Sequence, residues 1–109
     1  MRGHRGHARR DLACERVAVD RVHEARLQAH GLILNPGAYA HTSIALHDAL
    51  LAVNLPAIEV HLTNVHKRES FRHTLLTAAA CDGVVAGLGP LGYQLALAAL
   101  LARLSGERL

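Results

Sequence analysis

Glu59 and His61 stand two positions apart in the stretch IEVHLTNVHKRESFR, residues 58–72. In an extended chain side chains alternate between faces, so residues two apart share one side, and a carboxylate at 59 can orient and polarise an imidazole at 61. An imidazole held in that way suits proton transfer near neutral pH. The same pair also fits a core histidine bonded to a glutamate for purely structural reasons, and these two residues alone do not separate the readings. Thr63, Asn64, Arg68 and Arg72 follow closely. A strand that only had to be buried has no use for so much polarity at its end.

The elements that must position these groups alternate between helical and extended patterns. Cys14, Ala18, Val22 and Ala25 mark one apolar face of a helix over about 13–29, with Arg16, Asp20, Glu24 and Arg26 left for solvent. Gly31 ends it. Leu32-Ile33-Leu34 is a short buried strand stopped by Asn35-Pro36-Gly37. Thr42 or Ser43 caps a second helix running to about Asn54. Pro56 introduces a second strand over 57–62, residues 67–80 are expected to be helical for part of their length, and Gly83 to Ala86 form a third strand. The last helix, about 91–104, is apolar on nearly every side.

Strands alternating with helices imply an α/β layered domain with parallel pairing. Three strands are few, and a helix with no polar face wants a neighbour on its outside, so the sheet is expected to be incomplete, covered by other subunits, or both. In open parallel sheets ligands lie beyond the carboxyl ends of the strands. Those ends carry Asn35 with His41, then His61 with Thr63 and Asn64, then Gly87 and Gly89.

Composition limits the function classes. The chain has 109 residues, half of them hydrophobic, enough for one small core. Tyr39, Phe71 and Tyr93 are its only aromatic residues, so Leu, Ile, Val and Ala must fill that core. The net charge of +3 does not point to nucleic acid, because four of the twelve Lys and Arg residues sit in MRGHRGHARR, leaving eight against nine acids elsewhere. Residues 1–12 are expected to be a disordered or atypical start, and 13–109 the domain. Cys14 and Cys81 fit neither a metal spacing nor a disulfide framework. No signal peptide and no run long enough to span a bilayer is seen, so no membrane role and a cytoplasmic location are expected.

Two signals compete. Gly87-Leu88-Gly89-Pro90-Leu91-Gly92 fits G-x-G-x-x-G, but only 17 residues follow it and Pro90 removes an amide from any phosphate cradle. It is read as a tight turn bringing the helix close to the sheet. His41, His61, His66 and His73 could gather with Glu59, yet no H-E-x-x-H or i, i+4 pair occurs among them, and no metal is expected.

NPGAYAHTSIALHDAL at 35–50, IEVHLTNVHKRESFR at 58–72 and GVVAGLGPLGYQLALAAL at 83–100 closely resemble, in order and separation, the three characteristic segments of type II 3-dehydroquinate dehydratases. The likeness extends weakly through VDRVHEAR at 19–26 and covers about 15–104. It implies a flavodoxin-like fold and dehydration of 3-dehydroquinate to 3-dehydroshikimate, in aromatic biosynthesis or quinate breakdown, with neither metal nor other cofactor. In that family a tyrosinate removes a proton beside the ketone, an enolate forms, and a histidine protonates the departing hydroxyl. His61 takes the place of this acid and Glu59 that of its orienting partner. Asn35 matches the asparagine holding an ordered water at the enolate oxygen. His41, Leu62, Thr63 and Arg72 match substrate contacts, through the backbone amides at 62 and 63 and the Arg72 guanidinium. Asp48 matches an acid reaching a neighbouring subunit's site in trimer-based dodecamers, and Arg68 an arginine of the motif.

The family's opening strand, its N-G-P-N-L-N-like segment and the loop carrying the tyrosine base have no counterpart in MRGHRGHARRDLACE. Tyr39 and Tyr93 fall inside other segments of the pattern and are no substitutes. The chain thus resembles the last two-thirds of a dehydroquinase, and weak or absent turnover is expected of it. The alternative is a non-catalytic remnant or ligand-binding module that keeps the substrate pocket.

Overall fold

The computed structural model describes residues 11–109, with side chains from residue 15 onward. Of the disordered or atypical start expected over 1–12, residues 1–10 lie outside the described residues, whereas Asp11 and Leu12 belong to the first turn of a helix. In chain order the elements are helix α1 (Asp11–Gln28), strand β1 (Leu32–Leu34), helix α2 (Ile44–Val53), strand β2 (Ala57–His61), strand β3 (Gly83–Ala86) and helix α3 (Leu91–Leu104). The strands form one parallel sheet in the order β1-β2-β3, with Leu34 opposite Glu59 and His61 opposite Ala86.

Helices cover both faces. On one side Val22 of α1 meets Leu46, Ala49, Leu50 and Val53 of α2, with Leu32 and Leu34 packed against them. On the other, Ala96 and Leu100 of α3 pack on Ile58 and Val60, with Ile33 and Val85 beside them. The alternation of β1 and β2 is what divides these residues between two cores. All five residues of β2 are buried, and a fully buried Leu, Ile or Val contributes about 1.5 to 3 kcal/mol. Strand β2 therefore anchors the groups at its end more firmly than an edge strand could.

Helix α2 starts where expected. Ser43 is its N-cap: the Oγ accepts from the Leu46 N–H at 2.9 Å and donates to the Glu15 carboxylate of α1. Asn54 ends the helix in a left-handed conformation. Helix α3 runs close to the sheet because residue 92 is glycine; a Cβ there would lie 3.3 Å from Val60 Cγ1. Its outer side leaves Leu91, Leu95, Leu97, Leu101 and Leu104 exposed, whereas a helix apolar all round calls for a neighbour on that side.

The stretch 67–80 differs from an α-helix. It is built of short 3-10 turns at Val65–Lys67, Ser70–His73 and Thr77–Ala80. Glu69 (ψ 147°) and Thr74 (ψ 121°) are extended between them, which interrupts any longer helix. The resulting irregular path lays this segment against residues 37–41, fixed by the Leu76 N–H donating to the Ala40 carbonyl at 2.7 Å.

Candidate active site at the carboxyl end of the sheet

Glu59 and His61 face the α1–α2 side of the sheet, opposite to Ile58 and Val60. The His61 Nε2–H donates to Glu59 Oε2 at 2.7 Å. The other oxygen, Oε1, accepts from the Thr77 hydroxyl. Glu59 and Thr77 have no exposed surface, and His61 is buried as well. A carboxylate withdrawn from water must be paired and hydrogen-bonded, and Glu59 satisfies this with one partner on each oxygen. With Nε2 carrying the proton held by Glu59, Nδ1 is left to exchange a proton with whatever lies at the rim. Sequence reasoning found the pair through its spacing and missed Thr77, whose hydroxyl among alanines is the one local hint.

His41 lies beside this pair. Its Nδ1–H donates to the Thr74 carbonyl at 2.9 Å, and its ring stacks on that of His61 with centroids 6.3 Å apart and planes inclined by 23°. The Thr74 bond leaves Nε2 of His41 as an acceptor in the neutral ring. Two imidazoles held by opposite elements thus share one end of the sheet.

Asn35 continues the face of Ile33, toward α3. Its Oδ1 accepts from the Gly37 N–H at 3.1 Å, and its Nδ2 donates to the Tyr93 hydroxyl at 3.1 Å. Beyond β2, the Gly87 N–H donates to the His61 carbonyl and the Gly89 N–H to that of Leu62, tying the β3–α3 turn to the end of β2. Gly87 has φ +87°, and a Cβ there would come within 3.1 Å of Asn64 Cβ, so both the backbone and the space select glycine. Leu62 and Thr63 are exposed at this rim.

Arg72 and Asp48 are engaged by their own neighbours. The Arg72 Nε–H donates to Glu69 Oε1 at 2.7 Å, and the guanidinium lies 5.0 Å from the centre of the Phe71 ring. That hydrogen bond holds the Glu69 carboxyl below the usual carboxylate range. Asp48, on α2, pairs with His47 Nδ1 at 3.0 Å, its side chain 69% exposed. The structure thus brings Glu59, His61 and His41 together, places Asn35 with Tyr93 on the other face, and links neither Arg72 nor Asp48 to them by a hydrogen bond among the described residues. Cys81 is no nucleophile: burial first, then the Glu59 and Asp82 carboxylates, push its thiol up to about 12. Among the described residues no three His, Cys, Asp or Glu side chains meet as a metal site.

A three-layer α/β domain with a parallel sheet and its polar groups beyond the strands' carboxyl ends is of the flavodoxin-like class. The family Dehydroquinase class II matches residues 8–101. The 3-dehydroquinate dehydratase of Chelativorans sp. is 59% identical over 91 residues, 83% of this chain and 63% of that relative. The 3-dehydroquinate dehydratase 1 of Agrobacterium fabrum is 54% identical over 86 residues, 79% of this chain and 59% of its own length. Among solved structures, the type II dehydroquinase from Butyrivibrio crossotus superposes with a TM-score of 0.78 at 42% identity, over 80% of this chain and 61% of that one. The enzyme from Propionibacterium acnes does so with 0.72 at 42%, over 79% and 62%. The chain belongs to the class II dehydroquinase family. It spans about three-fifths of the length of these curated relatives.

Proposed function

We propose that this chain binds 3-dehydroquinate and serves its dehydration to 3-dehydroshikimate, as a hydro-lyase of aromatic biosynthesis. The observation that carries this reading is the 2.7 Å bond from His61 to the buried carboxylate of Glu59 at the end of the central strand. In the elimination, a base takes a proton from the carbon beside the ketone and the electron pair moves onto the ketone oxygen as an enolate. The enolate then collapses, the carbon–oxygen bond of the leaving hydroxyl breaks, and the Nδ1 proton of His61 goes to that hydroxyl to release water. Glu59 fixes the ring through its bond to Nε2.

In this reading Asn35 stabilises the enolate oxygen through an ordered water. His41, the backbone at Leu62 and Thr63, and Arg72 hold the carboxylate and ring hydroxyls; for Arg72 this requires exchanging Glu69 for the ligand. Asp48 completes a neighbouring subunit's site in a trimer-based assembly located in the cytoplasm. The second reading is a ligand-binding module that keeps the pocket without turnover.

Incubation with 3-dehydroquinate tests both, since the conjugated product absorbs in the ultraviolet. A rising absorbance supports the lyase. A flat trace with heat of binding in calorimetry supports the module, and neither signal contradicts both.

A further inference from the structure

The hydrogen bonds of Asn35 settle which end of its carboxamide faces which partner. The Gly37 N–H, at 3.1 Å, can only donate, so the carbonyl end of the Asn35 carboxamide must face it. The amide nitrogen then faces the Tyr93 hydroxyl at 3.1 Å, across 58 residues of chain. Nδ2 has no lone pair to offer, so it donates and the phenol oxygen accepts. Two protons are left without a partner among the described residues: the second Nδ2–H of Asn35 and the O–H of Tyr93.

Both groups stand in solvent reach beyond the strand ends, with Tyr93 39% exposed and Asn35 exposed. The two free protons must point away from the bond that joins their heavy atoms, so they leave as the prongs of a fork about 3 Å wide. Such a fork matches a ligand hydroxyl on the Tyr93 side and, on the Asn35 side, the ordered water held at the neighbouring ketone or enolate oxygen. Accepting from Asn35 also polarises the phenol, which strengthens its own O–H as a donor.

We infer that Tyr93 is a further substrate-binding and positioning residue: it aims the Asn35 carboxamide and donates its hydroxyl proton to a ligand oxygen adjacent to the one Asn35 serves. This rests on the reading of the rim as a 3-dehydroquinate site. It differs from the role of the family's base, because the phenol here gives a hydrogen bond rather than taking a proton.

The test is a titration with 3-dehydroquinate, by calorimetry and by NMR of the Asn side-chain amides and the histidine rings, on the full chain and on Tyr93→Phe. Phenylalanine keeps the ring and removes only the hydroxyl, and an unchanged amide spectrum outside the site verifies the fold. Leu97→Ala, on the exposed side of the same helix, is the control that leaves affinity unchanged. The inference expects the ligand to move the Asn35 amide signals and Tyr93→Phe to weaken binding roughly 3- to 10-fold. Binding that moves the His61 ring signals, with affinity unaltered in Tyr93→Phe, overturns the fork and leaves the site reading standing. Absence of any binding to the unaltered chain overturns both.

Discussion

Thr77 and Glu59, eighteen positions apart, are joined by a hydrogen bond from the threonine hydroxyl to the carboxylate oxygen that His61 does not use. The bond makes the carboxylate a bridge: one oxygen holds the imidazole, the other is held by the 3-10 turn Thr77–Ala80. Because Glu59 and Thr77 are fully buried, water cannot replace either partner, and the geometry at His61 depends on both.

Removal of the bridge has a graded effect. Glu59→Ala leaves the His61 N–H and the Thr77 hydroxyl without an acceptor and opens a cavity, and is expected to cost about 3 kcal/mol. Glu59→Gln keeps the volume and one acceptor, so about 1 to 2 kcal/mol is expected. Urea unfolding of the three proteins measures this order. Equal stability for all three contradicts a load-carrying bridge.

Thr77→Val replaces the hydroxyl by a methyl group of the same shape and strips one donor from a buried carboxylate. The expected loss is about 1 to 3 kcal/mol, read in the same urea experiment. The His61 ring resonances should broaden or shift as the carboxylate loosens, whereas a valine variant with native stability and native His61 signals speaks against the bridge.

The turn joining β3 to α3 offers two glycines of different kinds. Both have positive φ, but a Cβ at Gly87 meets Asn64 at 3.1 Å while one at Gly89 meets nothing within 4 Å. Alanine at either position carries the strain of a left-handed backbone, about 1 to 3 kcal/mol. Only Gly87→Ala also pushes on the end of β2, so it should be the more destabilised of the two and the more disturbed at Leu62 and His61. Identical unfolding midpoints would remove the close approach as a factor.

Cys81 supplies a pH dependence. Its thiol is raised from an ordinary 9 to about 12 by burial and by the Glu59 and Asp82 carboxylates, so the folded chain holds this proton more tightly than the unfolded one. Stability from this group is complete below pH 9 and is lost as pH rises from 9 toward 12. At pH 8 the thiolate fraction is on the order of one in ten thousand, and iodoacetamide should label Cys81 far more slowly in the native chain than in urea, as peptide mass mapping measures. Equal labelling rates in both states contradict the raised value.

Much of this architecture was legible in the residues. Pro56 and the run after it placed β2, and the alternation of an extended chain put Glu59 and His61 on one face, because period two is a local property. Thr42 or Ser43 announced the start of α2, and the cap is Ser43; its end near Asn54 was legible too. Residues 67–80 were harder, since extended backbone at Glu69 and Thr74 breaks the helix there and neither residue type forces that conformation. The partners of the site were harder still. Thr77 reaches Glu59, and Tyr93 reaches Asn35, only once the sheet order brings α3 and the last 3-10 turn to the ends of β1 and β2; no spacing in the sequence encodes a contact between positions 35 and 93.

The central claim is that the imidazole held by Glu59 meets the ligand. Nitrogen NMR of the histidine rings during titration with 3-dehydroquinate measures it directly. The account expects Nδ1 of His61 to shift to saturation along the binding curve while Nε2 stays bonded to Glu59, and expects Glu59→Gln to blunt that shift. Saturable binding that leaves both nitrogens of His61 where they were contradicts it.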